Sequence, residues 1–279
     1  MMRSMPADVR PVLTSAANPR VKAALALRDR RERDRTGLTL IDGARELRRA
    51  LDAGAAVAEA FICEPILAGA EGRAVLDRLS EARANVHTVS ERLFHKLAFG
   101  DRLEGVVGVA RIPRLDLASL ELPEDPLVVV IEGVEKPGNV GAVLRSADGA
   151  GADALVAADP RTDLFNPNVI RASAGTVFSV PIAAASKADA IAWLHDRSVR
   201  IVAARVDAER LYTEADLTGP LAIVLGAEVD GLSDAWNGPA IEAVRLPMLG
   251  VADSLNVSVS AAILLYEARR QRGVRGRTL

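Results

Sequence analysis

The sequence predicts an α/β protein built from two domains. Three observations carry that reading. Short apolar runs of strand length alternate with segments of helical periodicity along the whole chain. A Pro-rich, charged stretch at 112–126, with Pro113, Pro123 and Pro126, interrupts the alternation near the middle. At 279 residues with 49% hydrophobic and 26% charged residues, the chain is long enough to bury two cores.

Taken in order, the first half opens with a turn at Asn18-Pro19. A single helix follows to about residue 35, with Val21, Ala24, Leu25 and Arg28 on its inner face. A strand at Leu38–Ile41, a helix after Gly43, a strand at Val57–Cys63 and a helix at Gly72–Arg83 come next. A strand at Val86–Val89, a helix at Glu91–Leu97 and a strand at Gly105–Ala110 complete the half. The division falls near residue 118, giving domains 1–118 and 119–279. The second domain begins with the fully apolar strand Leu127–Ile131, whose composition suits a buried strand. It continues through a helix at Val140–Ala150, a strand at Ala154–Ala157, a helix at Lys187–Arg197 and strands at Arg200–Ala204, Leu221–Leu225 and Ala243–Leu246. In the final helix Leu255, Val259, Ala262, Ile263 and Tyr266 recur at helical spacing and predict its buried face.

Composition narrows the function. Cys63 is the single cysteine, which excludes an internal disulfide, and the three histidines lack metal-ligand spacing, so no metal site is expected. The first residues contain no apolar run of signal-peptide type, and no run approaches the length of a membrane span; the expected compartment is the cytoplasm. The net charge of −2 conceals an asymmetry. Residues 1–50 hold twelve Arg/Lys against six Asp/Glu, and residues 267–279 hold five Arg against one Glu. Basic ends on an acidic body fit a polyanionic partner. Arg30, Arg31 and Arg33 are the candidate phosphate contacts of the N-terminal helix, with Arg171 as a further candidate in the second domain.

Three segments of the second domain carry polar groups where strands end. In IEGVEKPGNVGAVLRSADGAGAD (131–153), Asn139 and Arg145 lie at the start of a helix that follows a buried strand. Gly133 and Gly138 lack the G-x-G-x-x-G spacing, which argues against a dinucleotide fold and a nicotinamide oxidoreductase. In LAIVLGAEVDGL (221–232), Gly226 and Glu228 stand at the carboxyl end of a strand, where ligands bind in open α/β sheets. In LPMLGVADSLNVSVS (246–260), a proline-containing strand end runs through a loop into a helix that opens with Ser254, Asn256 and Ser258. Between them, NPNVIRASAGTVFSVPI (166–182) places a run of small residues, Ala172 to Gly175, that permits close backbone approach, and contains no nucleophile elbow.

In this order and spacing the three segments resemble the motifs of the SpoU class of the SPOUT superfamily, RNA ribose 2′-O-methyltransferases that use S-adenosylmethionine. The N-terminal stretch SAANPRVKAALALRDRRERDRTGLTLIDG is similar to the family's ribosomal-protein-like substrate-binding domain. The resemblance implies a C-terminal domain threaded through a deep trefoil knot, a homodimer whose subunits complete each other's sites, and RNA as partner, with ribosomal RNA favoured over transfer RNA. It places the cofactor near Gly226, Leu246, Leu255 and Asn256. It assigns catalytic work to Arg145, with Asn139 orienting it, Ser254 and Asn256 aligning substrate or cofactor, and Glu228 ordering the cofactor loop or pairing with Arg145 or Arg171. A catalytically silent RNA-binding or ribosome-assembly protein of the same fold is the alternative, and the presence of Asn139, Arg145, Glu228, Ser254 and Asn256 argues against it.

Overall fold

The computed structural model describes residues 11–67, 69–99, 103–228 and 230–273. Chain contacts divide it into two compact units that meet at Ile112–Pro113.

In the first unit the helix expected after Asn18 is two helices, α1 (Pro19–Ala26) and α2 (Arg30–Thr36). The break has a local cause. Asp29 takes extended backbone geometry and its carboxylate accepts a hydrogen bond from the Arg31 amide at 2.9 Å, which starts a new helix in place of continuing the old one. Gly37 ends α2 in the left-handed conformation, with φ of 65°. The rest of the unit runs β1 (Leu38–Asp42), α3 (Ala44–Asp52), β2 (Val57–Ile62), α4 (Gly69–Glu81), β3 (Asn85–Thr88), α5 (Glu91–Leu97) and β4 (Val106–Arg111). The four strands form one sheet in the order β1-β4-β2-β3. Val21, Ala24 and Leu27 pack with Phe61, Phe94 and Val107 in its core. Arg28 reaches the carboxyl end of α5 and donates to the carbonyls of Lys96, Leu97 and Ala98, so a side chain placed on the inner face by periodicity serves as a cap.

The Pro-rich stretch packs onto the second unit. The Leu115 carbonyl accepts from the Ala184 amide at 2.7 Å, and Leu120 is buried in that unit's core. The second unit contains β5 (Leu127–Glu132), α6 (Pro137–Ala150), β6 (Ala154–Ala158), α7 (Pro167–Ala172), β7 (Ile182–Ala185), α8 (Lys187–Asp196), β8 (Arg200–Ala204), β9 (Leu221–Leu225), β10 (Ile241–Val244) and α9 (Val257–Arg272). Two of these, α7 and the edge strand β7, are too short for periodicity to reveal. All six strands are parallel, in the order β10-β8-β9-β5-β6-β7. One face is covered by α8, whose Trp193 and Leu194 join Val128, Val130 and Trp236. α6 packs between α7 and α9. The α6–α7 approach depends on Gly141, where a Cβ would come within 2.7 Å of the Ser173 backbone nitrogen. The run of small residues expected to allow close approach is what it meets.

The final helix reverses one expectation. Its buried residues are Val257, Ala261, Leu264, Leu265 and Ala268, while Leu255, Val259 and Tyr266 are exposed, at 37%, 46% and 54%. Ala262 and Ile263, also expected on the buried face, are half-buried, and α9 packs against α6.

Candidate active site

The order of the strands creates the site. From β5 the chain builds outward through β6 and β7, then returns to place β9 and β8 on the other side of β5. The loops leaving β5 and β9 therefore diverge from neighbouring strands, and a crevice opens at the carboxyl ends. Into it project the start of α6, the turn after β9 and the start of α9.

Three predicted site residues from three different segments meet here. Glu228 accepts hydrogen bonds from the Asn139 side-chain amide and, at 2.6 Å, from that of Asn256. The two asparagines also touch each other, at 3.3 Å. The Asn256 oxygen is occupied by the Ser258 amide at 2.9 Å and hydroxyl at 2.6 Å, so Asn256 is at once the N-cap of α9 and a ligand of Glu228. The fourth member, Lys136, is one that sequence reasoning passed over: its ammonium bonds the second Glu228 oxygen. It precedes Pro137 at the first position of α6, inside a segment already singled out, and only its proximity to the helix start marked it. The Lys136 hydrogen bond, with its charge and the Asn139 amide, holds the Glu228 carboxyl below the ordinary carboxylate range.

Beside this cluster lies a cleft of about 530 Å³, within the size range of small-molecule sites. Gly226, Glu228, Ser254 and Leu255 line it. The turn after β9 closes through paired hydrogen bonds between Ala227 and Gly231, at 3.1 and 3.0 Å. A Cβ on Gly226 would stand 2.2 Å from the Gly231 carbonyl carbon, so only glycine allows the turn to fold this tightly against the strand end. The turn is anchored from behind. Glu132, buried at the end of β5, accepts from the Ser233 amide at 2.8 Å and hydroxyl at 2.6 Å, and pairs with Lys187 at 3.3 Å. At the side, Arg161 bridges Glu135 at 2.7 Å and Asp230 at 3.2 Å. Arg205 and Asp207, in the loop after β8, complete the rim. They follow a strand end just as Glu228 does, and the same rule would have flagged them.

Other expectations are corrected. Asn139 does not orient Arg145: its amide is engaged with Glu228, and the Arg145 guanidinium makes no hydrogen bond or ion pair with any described residue. Six residues along α6 place Arg145 about 9 Å further on and about a third of a turn away around the helix. Glu228 pairs with Lys136, not with Arg145 or Arg171. Arg171 is half-buried on α7. Leu246 and Asn256 are not among the residues lining the cleft, Asn256 touching it only through Glu228. In the first unit, Arg30 and Arg31 are exposed, but Arg33 is buried and donates to the carbonyls of Leu27 and Arg28 at 2.8 and 2.9 Å. Its role is to tie the α1–α2 turn, and it offers nothing to a phosphate. Among the described residues no group of His, Cys, Asp or Glu is arranged to hold a metal ion, and no helix is long and apolar enough to cross a membrane.

Comparison with known proteins matches a different family model to each half of the chain. Residues 126–266 match the SpoU rRNA methylase family, and residues 18–108 match the MRM3-like substrate binding domain. A 23S rRNA (guanosine-2′-O-)-methyltransferase of Ralstonia nicotianae is 38% identical over 190 residues, covering 66% of this chain and 76% of that protein. A crystal structure of an RNA 2′-O ribose methyltransferase is 45% identical, with a TM-score of 0.83 over 94% of this chain and 99% of its own. An AdoMet-bound rRNA methyltransferase from Sinorhizobium meliloti is 30% identical, also with a TM-score of 0.83, over 93% and 97%.

Proposed function

Because the chain belongs to the SpoU rRNA methylase family, we propose that it transfers a methyl group from S-adenosylmethionine to a ribose 2′-hydroxyl, in ribosomal RNA and in the cytoplasm. The observation that carries this reading is the convergence of Asn139, Glu228 and Asn256 at the edge of a cleft formed by strand ends. The residues present suit the cofactor. Gly226 lets the turn close tightly against the end of β9, and the exposed Asp253 in the lining is a carboxylate available to a cation. The matching of residues 18–108 to a substrate-binding domain supports an RNA delivered by the first unit, and the names of the relatives favour ribosomal RNA.

When bound, the cofactor supplies an electrophilic methyl on a good leaving group. The protein must position the hydroxyl and handle its charge. Glu228, held in its ionised form by three donors, is a weak proton acceptor and a firm structural post; it fixes the first turns of α6 and α9 around the cleft. Ser254, exposed at the rim, aligns substrate or cofactor. Arg145, exposed and without a protein partner among the described residues, holds the adjoining phosphate and stabilises developing alkoxide charge. A guanidinium with a pKa above about 12 does not serve as a base, so the proton leaves to phosphate or water.

Arg145 lies away from the Glu228 cluster of its own chain. Together with the exposed stripe of Leu255, Val259 and Tyr266 on α9, this supports a homodimer in which the arginine of one subunit serves the cleft of the other, with the chain threaded through a trefoil knot. Calorimetry combined with sedimentation tests the reading. S-adenosylmethionine should bind at one per chain to a species that sediments as a dimer, and NAD should not bind. NAD binding in preference to S-adenosylmethionine, or a well-folded monomer at micromolar concentration, would refute it.

A further inference from the structure

The cleft beside the Glu228 cluster changes character from floor to rim. Leu225 and Val257 in its lining are buried, while Asp253 and Ser254 stand exposed. Among the described residues four carboxylates line it, and three of them are engaged within the chain. Arg205 donates two hydrogen bonds to Asp207, at 2.9 and 3.0 Å, Lys136 pairs with Glu228, and Arg161 with Asp230 at 3.2 Å. The Asp253 carboxylate makes no hydrogen bond or ion pair with any described residue. The loop that carries it is anchored close by. Asp253 stands three residues before Asn256, which caps α9 and donates to Glu228 at 2.6 Å. An apolar floor with one uncommitted acid at the rim fits a ligand that is apolar at one end and cationic at the other.

S-adenosylmethionine is such a ligand, with adenine at one end and an amino-acid tail at the other. It carries two cations, the sulfonium and the tail ammonium, and the chemistry of transfer separates them. A carboxylate against the sulfonium would hold the ground state more firmly than the transition state, where that charge is dispersing, and would slow the reaction. The ammonium keeps its charge throughout, so an acid can hold it without raising the barrier. We propose that Asp253 is a cofactor-binding residue whose carboxylate receives the ammonium of the cofactor's amino-acid tail. The assignment rests on the reading of the cleft as the cofactor site.

The test is calorimetry on the full-length protein with three ligands: S-adenosylmethionine, S-adenosylhomocysteine, and the analogue of the latter in which hydrogen replaces the amino group. The ionic strength is set high enough to screen through-space charge. The wild-type protein should prefer S-adenosylhomocysteine to its deaminated analogue by roughly three- to tenfold, between the worth of an exposed ion pair and that of a charged hydrogen bond. Asp253→Asn, isosteric and neutral, should lose that preference. It should weaken S-adenosylmethionine and S-adenosylhomocysteine by the same factor, and leave the deaminated analogue bound as before. A fall for S-adenosylmethionine alone would set the carboxylate against the sulfonium and overturn the assignment. An equal fall for all three ligands would overturn it by placing Asp253 in the fold or against the adenosine. No change for any ligand would make Asp253 a solvated charge. A wild-type protein that binds none of the three would overturn the reading of the cleft itself.

Discussion

Glu228 and Arg145 show how differently two residues of one motif set can be used. Glu228 is surrounded by the donors of Lys136, Asn139 and Asn256, and its depressed pKa keeps it charged at neutral pH. Arg145 has no partner among the described residues and stands exposed on α6. A side chain that completes the fold would be paired; one that waits for RNA would not. Arg145→Ala should therefore leave folding and cofactor affinity nearly unchanged, while methyl transfer in a single turnover falls by on the order of a hundredfold or more. Arg145→Lys should recover little, since a point charge does not replace a planar fork on phosphate and hydroxyl together. Transfer near the wild-type rate in Arg145→Ala would make this arginine an ordinary surface charge. At this scale the sequence marked Asn139, Glu228 and Asn256 because polar groups at strand ends and helix starts have few structural uses. It could not pair them, because the 89 and 28 residues that separate Glu228 from Asn139 and Asn256 are bridged only by the strand order. Arg205 went unnoticed because it resembles any charge that follows an apolar run.

At the scale of elements, the basic helix α2 separates charges that a charge count treats alike. Arg30 makes only an exposed ion pair with Asp34, at 3.6 Å, and such pairs contribute little. Arg31 is exposed as well. Arg33 is buried and bonded to two carbonyls. Replacing Arg30 and Arg31 together by Gln should weaken RNA binding and flatten its salt dependence, because fewer counterions are released, with no change in thermal stability. Arg33→Gln should act the other way, lowering unfolding free energy by roughly 1–3 kcal/mol through the lost charged hydrogen bonds. An unchanged salt slope in the double variant would show that the exposed charges of α2 are only a solvated surface. Helical periodicity found the helical stretch that holds α2, and α9, but misjudged their detail for one reason. It reports that apolar or basic residues recur, and it does not report which stripe faces the protein. In α9 the buried residues include Ala261 and Ala268, and Leu255, Val259 and Tyr266 stay exposed.

At the scale of the molecule, nearly every strand was legible, because its buried residues read as a short apolar run. The order β10-β8-β9-β5-β6-β7 was not, since no local signal records which strands become neighbours, and that order is what brings three distant motifs to one cleft. Everything assigned to single residues follows from one reaction, methyl transfer to ribose. The direct measurement is to incubate the protein with ribosomal RNA and S-adenosylmethionine labelled in its methyl group, digest the product to nucleosides and locate the label. The account predicts a 2′-O-methylnucleoside at a defined position, abolished when that nucleotide carries 2′-deoxyribose. Label on a base, or no transfer to RNA by a protein that binds both partners, would contradict it.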